Sequence, residues 1–247
     1  MTKIYVINLE RSSDRREQIS AQLNSLDVEF EIFKAIDGKI SPQHPLFEKY
    51  NEKRSIARRG KGLNAGQLGC YASHFLLWQE CIKTNQNCFI IEDDAVLDRE
   101  NFLTLYNHIS QVPERIECIR LFKNKRKAFT SHPFYNIESI SIHKFNKGHM
   151  STTGYWITPN AARKFIACSQ DWYLPVDIFM DRFWDNKVDC FGTVPACLDN
   201  DTSFDSNIDS KTIKHKRPLK VRILREVFQF GDYISRIKHN LLFKYSL

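Results

Sequence analysis

KIYVIN at 3–8 is a β-branched and aromatic run closed by Asn8, as expected of a buried strand. The next stretch changes period. In LERSSDRREQISAQLNSL, Ile19, Leu23 and Leu26 fall on one helical face, and Asp14 with Glu17 three residues on reads as a capping box. FEIFKAI at 30–36 returns to strand and stops at the turn pair Asp37-Gly38. Strand, helix, strand in this order opens an α/β sheet. Residues 40–63 are polar, basic and weakly patterned, and predict a mobile loop. AGQLGCYASHFLLWQECIK at 65–83 is a long amphipathic helix with Leu68, Tyr71, Phe75, Trp78 and Cys81 on one side. NCFIIEDDAVL at 87–97 is an apolar strand that ends in three acids, and CIRLF (118–122), ISIHKF (140–145) and TTGYWIT (152–158) are further strands. A helix follows Pro159, another is expected over 175–186 behind Pro175, and VDCFGTVP at 188–195 reads as the last strand. The alternation predicts one mixed, mostly parallel central sheet.

The chain has 247 residues, 42% of them apolar and 26% charged, enough for a sizeable core. No uncharged apolar run reaches spanning length, and charges follow the short apolar start at once, unlike a signal peptide. Seven dispersed cysteines without a C-x-x-C pair argue against a disulfide framework or a four-cysteine zinc site, and are expected as small buried residues in a cytoplasmic chain. The net charge of +7 is uneven. Residues 211–247 hold ten Lys/Arg against Glu226 and Asp232, so the first 210 residues are close to neutral. Two further basic clusters are Lys53, Arg54, Arg58, Arg59 and Lys61, and KNKRK at 123–127. Leu224, Val227, Phe228, Ile234, Ile237 and Leu241 give the tail helical periodicity, with a break expected at Gly231. These features divide the chain into a domain at 1–205 and a basic amphipathic helical tail at 206–247. The tail could adsorb to an anionic membrane surface or pack its apolar stripe on the domain. No zinc finger, RNP1 or KH pattern points to nucleic acid.

Chemistry concentrates at Glu92, Asp93 and Asp94. They lie at the carboxyl end of a strand, where open α/β sheets bind ligands. Two converging carboxylates repel unless a cation lies between them or one is protonated, and a hard divalent ion, Mn²⁺ or Mg²⁺, suits that place. A solvated acidic turn is the structural alternative. Arg11, Arg15 and Arg16 at the entry of the first helix suit phosphate, or form an exposed helix face. Asp177, with Asp181 one turn on, offers a general base or a helix cap. His74, inside an apolar helix, reads as a core histidine. No P-loop, G-x-G-x-x-G or G-x-S-x-G occurs.

Six ordered stretches, IYVINLERSSDRR (4–16), FKAIDG (33–38), LNAGQLGCYASHFLLWQECI (63–82), FIIEDDAVL (89–97), STTGYWITPNAARKF (151–165) and LPVDIFMDRFW (174–184), resemble glycosyltransferase family 25. This family comprises bacterial lipopolysaccharide and lipooligosaccharide galactosyl- and glucosyltransferases and is related to collagen galactosyltransferases; the length and basic tail resemble its inner-core heptose-extending members. The resemblance implies a GT-A-like nucleotide-sugar fold. It implies inverting transfer of galactose or glucose from a UDP-sugar to a lipopolysaccharide or lipooligosaccharide core, giving a β-linkage. It implies Mn²⁺ (or Mg²⁺) at Glu92 and Asp94, with Asp94 the preferred direct ligand, in a motif that reads E-D-D where other GT-A families have D-x-D. Donor contacts are implied for Asn8, Leu9, Arg11, Arg15, Ala35, Asp37 and Asp93, and a role at the reacting centre for Asp177. A further metal ligand in the acidic stretch after Pro195 stays open. The implied location is cytoplasmic, peripheral on the inner face of the cytoplasmic membrane. The competing readings are a metal-dependent phosphohydrolase and a basic membrane- or nucleic-acid-binding module without catalysis.

Overall fold

The computed structural model describes residues 2–200 and 219–245. Of the acidic stretch after Pro195, Asp199 is described and pairs with Lys123 at 2.7 Å, while residues 201–209 and the boundary expected at 205/206 lie outside the described residues. In chain order the elements are β1 (Lys3–Asn8), α1 (Ser13–Asn24), β2 (Glu31–Lys34), α2 (Glu52–Arg59), α3 (Ala65–Thr84), β3 (Cys88–Glu92), β4 (Ala95–Leu97) and α4 (Arg99–His108). Then follow β5 (Cys118–Arg120), β6 (Ser131–Ile137), β7 (Ile140–Phe145), β8 (Gly154–Ile157), α5 (Pro159–Cys168), α6 (Val176–Met180), α7 (Phe183–Asn186), β9 (Phe191–Val194), β10 (Leu198–Asn200) and α8 (Leu219–Tyr245).

Eight strands form one mixed sheet in the order β2-β1-β3-β8-β5-β9-β7-β6. Six of them point one way; β8 and β7 run opposed. β10 and β4 make a separate antiparallel pair. Successive strand residues face opposite sides, and the core divides accordingly. Ile4, Val6, Phe89, Ile91 and Trp156 join Ile19 and Leu23 of α1 and Phe102 of α4 on one face. Tyr5, Ile7, Ile90 and Tyr155 join Tyr71, Phe75 and Trp78 of α3, Phe165 of α5 and Phe179 of α6 on the other. A sheet between two helical layers is the α/β, GT-A-like architecture expected from the sequence.

Several local expectations are corrected. Ser12, not Asp14, occupies the N-cap position of α1, with no side-chain cap bond, and Asp14 sits in the first turn, where its charge suits the helix dipole. The segment 40–63 is ordered. A 3₁₀ turn spans Pro45–Lys49, and α2 is capped by Asn51 and ended by Gly60 in the left-handed region (φ 76°). Its apolar content is low, and charged contacts to other elements hold it. Arg54 pairs with Asp171 and its guanidinium lies 3.7 Å from the Tyr173 ring centroid. The helix expected over 175–186 divides at Asp181, whose side chain turns inward onto Arg120, Arg126 and the Met150 N–H. The strand expected over 87–97 divides into β3 and β4, β10 follows the strand expected to be the last, and α4 and β6 lie where the sequence predicts no element. α8 runs through Gly231 without a break. All seven cysteines are free thiols; five are buried, Cys70 is half-buried and Cys168 is exposed. No described helix is long and apolar enough to cross a membrane.

α8 docks one face on the domain. Asp232 pairs with Arg58 and Arg182, His239 Nε2 lies 2.8 Å from Asp189 Oδ1, and Phe243 packs on Phe134 and Phe191.

α3 approaches the turn after β2 through Gly69. A Cβ there would lie 2.3 Å from the Ile36 carbonyl oxygen and 2.8 Å from the Gly38 nitrogen, both backbone atoms. Gly69→Ala should therefore destabilise the chain by about 1–3 kcal/mol through overpacking. Gly231→Ala, where nothing lies within 4 Å, should stabilise α8 slightly. Urea unfolding of both variants checks this; a Gly69→Ala variant as stable as the parent would contradict the close approach.

Candidate active site

β1 and β3 are parallel neighbours in the register Ile7↔Glu92, and β2 lies beside β1 with Asn8↔Lys34. Their carboxyl ends therefore open at one edge and gather residues 8–11, 34–38 and 92–94 there. The backbone continues the pairing just past the strands. Ala35 N–H donates to the Asn8 carbonyl (2.9 Å) and Asp93 N–H to the Ile7 carbonyl (3.1 Å).

The three acids sit in three different surroundings. Asp93 is buried and held from both sides: Asn8 Nδ2 donates to its Oδ2 (2.7 Å) and Arg15 Nη1 lies 3.4 Å from its Oδ1. Burial raises its carboxyl above the ordinary range, against the pull of Asn8 and Arg15. Glu92 Oε1 accepts from Thr152 Oγ1 (2.5 Å) and contacts His74 Nε2 (3.3 Å). Burial pushes this carboxyl up, but His74 and Thr152 outweigh it and the net direction is down. Asp94 Oδ1 is buried with no hydrogen-bond partner among the described residues. Burial, then the charges of Glu92 and Asp93, push the Asp94 carboxyl up to about 7.

His74 is aimed by a buried chain. Trp78 Nε1 donates to Tyr155 Oη (2.9 Å), which lies 2.9 Å from His74 Nδ1. Indole is a donor only and a carboxylate an acceptor only. The chain is complete when Tyr155 donates to Nδ1 and His74 donates from Nε2 to Glu92. The core histidine is thus also the residue that orients a cleft acid.

The cleft has two continuous parts. The first, about 720 Å³ with its open mouth, is lined by Leu9, Arg11, Arg15, Ala35, Asp37, Glu92, Asp93 and Asp94, together with Cys70, Ser73 and His74 of α3. Arg11 and Asp37 form an ion pair at its rim. Ser73 Oγ accepts from the Ile36 N–H and donates to the Gly69 carbonyl, sewing α3 to this wall. The second part, about 990 Å³, holds Asp177 with Arg59, Gln67, Lys125 and Thr152. Cys70, Glu92 and Asp94 line both. Asp177 is raised by burial, partly offset by the Ile178 N–H and Arg120, with Glu92 adding to the rise.

Of the residues singled out in the sequence, Leu9, Arg11, Arg15, Ala35, Asp37, Glu92, Asp93 and Asp94 share the first part of the cleft. Asn8 is buried as the partner of Asp93 and lines neither part, and Asp177 lines the second part together with Glu92 and Asp94. Arg16 is exposed and lines neither part. Asp181 is a structural acid, bound to Arg120 and Arg126. Cys70, Ser73, Thr152 and the individual cations Arg59 and Lys125 were missed. The basic clusters marked the two cations only as groups, and nothing local distinguished the others.

Two donor sets could meet a metal ion. Donor atoms of Cys70, His74 and Glu92 lie within 4.8 Å of one another. Both His74 nitrogens are already engaged, and burial with the nearby Glu92 charge pushes the Cys70 thiol well up, away from the thiolate a metal needs. The carboxylates of Glu92 and Asp94 are hard oxygen donors, one of them with an orphaned buried oxygen, and fit a hard divalent ion better.

Residues 1–180 match the family described as Glycosyltransferase family 25 (LPS biosynthesis protein). The chain is 25% identical over 229 residues to a procollagen lysyl hydroxylase and glycosyltransferase of Acanthamoeba polyphaga mimivirus, covering 80% of this chain and 25% of that protein. It is 28% identical over 186 residues to procollagen galactosyltransferase 1 of Danio rerio, covering 72% of this chain and 30% of the relative. A glycosyltransferase 25 family member of Drosophila melanogaster is 26% identical over 194 residues, 75% of this chain and 31% of its own length. The chain therefore spans less than a third of the length of these relatives.

The raised Asp94 carboxyl has a pH signature. Between its ordinary value of 3.8 and about 7 the folded chain keeps a proton that the unfolded chain has released. That contribution favours folding at the acid end and is lost as pH rises through 7. Without divalent ions, Asp94→Asn should raise the melting temperature at about pH 8 and flatten its fall from about pH 5. A variant with the parent's slope would remove Asp94 as the source.

Proposed function

The chain belongs to glycosyltransferase family 25, and on that premise we propose that it transfers a hexose, galactose or glucose, from a UDP-sugar to a hydroxyl of a lipopolysaccharide or lipooligosaccharide core, with inversion to a β-linkage. The observation that carries this reading is the continuous cleft whose two parts share Glu92 and Asp94, with Asp177 lining the second of them. The family description supports a lipopolysaccharide acceptor. Galactose is the first donor to test, because the Danio rerio relative is named a galactosyltransferase.

In this reading the first part of the cleft takes the nucleotide. Leu9, Ala35 and Asp37 line the uridine end, and Arg11 and Arg15 meet the diphosphate, with Asp93 fixed on Asn8 and Arg15 as part of that wall. Glu92 and Asp94 would hold Mn²⁺ or Mg²⁺, which supplies positive charge against the leaving diphosphate. The second part takes the acceptor. Arg59 and Lys125 suit an anionic one, such as a phosphorylated sugar. Asp177 accepts the proton of the attacking hydroxyl. The oxygen bonds to the anomeric carbon while the bond to the diphosphate breaks and its electron pair leaves with UDP. A carboxyl raised by burial is a better base than an exposed one, since general bases work best with a pKa near the operating pH.

Thermal melting with UDP, with and without Mn²⁺, should show a shift that needs the metal; equal shifts would overturn the metal reading. Asp177→Asn should keep that shift and lose about 10²–10⁴ in turnover, read by mass spectrometry of the glycosylated core. Full activity would remove Asp177 as the base, and phosphate release without an acceptor would favour a phosphohydrolase.

A further inference from the structure

Helical geometry gives α8 two opposed faces. At 3.6 residues per turn, Phe228, Asp232, His239 and Phe243 fall within an arc of about 60°. Each of them contacts the domain. On the opposite side Ile223, Val227, Phe230, Ile234, Ile237 and Leu241 follow one another at spacings of three and four, within an arc of about 80°. These six are 40–65% exposed. Packing on the domain therefore accounts for one face of the helix and leaves a second, apolar one in the open, a pattern that marks an interaction site.

Charge indicates what covers it. Lys220 and Lys238 flank the stripe on one edge and Arg222 and Lys244 on the other, all exposed. The acid on that second edge, Glu226, is engaged by Arg225 at 2.9 Å. Asp232, the other acid of α8, is turned to the domain. Long basic side chains beside an apolar stripe can lay their stems along it and reach outward with their charges. The same three-four spacing would serve a coiled coil with a second copy, but α8 carries six Lys/Arg against two acids. Pairing two such helices brings like charges together, whereas an anionic surface attracts them.

We propose that α8 is an interfacial helix: its domain face anchors it, and its outer stripe inserts into an anionic lipid surface with Lys220, Arg222, Lys238 and Lys244 on the headgroups. α2 links this surface to the cleft. Its Arg58 meets Asp232 and the Phe228 ring of α8, and the adjacent Arg59 lines the part of the cleft that holds Asp177.

The test is co-sedimentation of the full chain with phosphatidylcholine vesicles, with and without about one-third phosphatidylglycerol. The chain should pellet with the anionic vesicles and stay in solution with the neutral ones. Phe230→Ser with Ile234→Ser should reduce binding about tenfold or more while the melting temperature stays that of the parent. Val227→Ser with Ile237→Ser, on the same stripe, repeats the test should the first pair disturb folding. UDP binding is measured in the same samples, so failure of the donor reading leaves this result standing. Parental binding by both variants, or equal binding to the two vesicles, would overturn the proposal. So would a lipid-free dimer that the variants dissociate, which would assign the stripe to a second copy.

Discussion

Three consecutive carboxylates at the end of one strand repel each other, and much of the surrounding structure answers that repulsion. Asn8 and Arg15 quiet Asp93 from one side. His74 and Thr152 do the same for Glu92 from the other. Among the described residues Asp94 Oδ1 has no such partner, and burial with the charges of Glu92 and Asp93 pushes its carboxyl up to about 7. Satisfying all three within the chain would leave nothing to draw a cation or a ligand. Leaving one unsatisfied where two cavities meet makes a candidate site whose electrostatics a bound cation would complete.

The answering groups come from distant parts of the chain, and the sheet brings them together. Parallel pairing of β1 and β3 sets Asn8 beside the acids. Antiparallel β8 supplies Tyr155 to His74 on the helical layer and carries Thr152 and Thr153 just before it, where the Thr153 carbonyl accepts the Glu92 N–H. The loop leading into β8 is itself pinned, because buried Asp181 takes the Met150 N–H along with Arg120 and Arg126. Removing one partner from such a buried ionic cluster leaves an uncompensated charge, which costs far more than the pair contributes net. Asp181 thus serves the cleft by fixing its rear wall.

Local periodicity made the central strands and α3 legible, because their apolar runs are long and both faces of the sheet are covered. It failed where stability is not written as an apolar pattern. α2 has little apolar surface and depends on Arg54 and Arg58 reaching Asp171, Tyr173 and α8. β4 and β10 are short and lean on each other. The helix over 175–186 breaks because Asp181 prefers buried cations to a helical exterior position. Within the cleft, acids and arginines adjacent in sequence could be grouped by eye. Arg59, Lys125 and Thr152 could not, since their meeting depends on loop paths that no local signal encodes.

Those loop paths bear on what the cleft can discriminate. The side that meets the β3 acids through Arg11, Arg15 and Asp37 is built on strand ends and on α3, elements sewn together by Ser73 and by the close approach at Gly69. The opposite side borrows Arg59 from a polar helix and Lys125 from a loop. A rigid half suits a ligand of fixed chemistry, a nucleotide above all; a half made from exposed, loosely patterned segments can change its cations without disturbing the core. Asp177 lines the second part from the short helix α6, whose Val176, Phe179 and Met180 are buried in the core on the α3 face of the sheet. The group proposed to move a proton is therefore anchored to the same core as α3 while it shares its part of the cleft with Arg59 and Lys125. Under the proposed function, that arrangement would let acceptor preference change with the loops without moving Asp177.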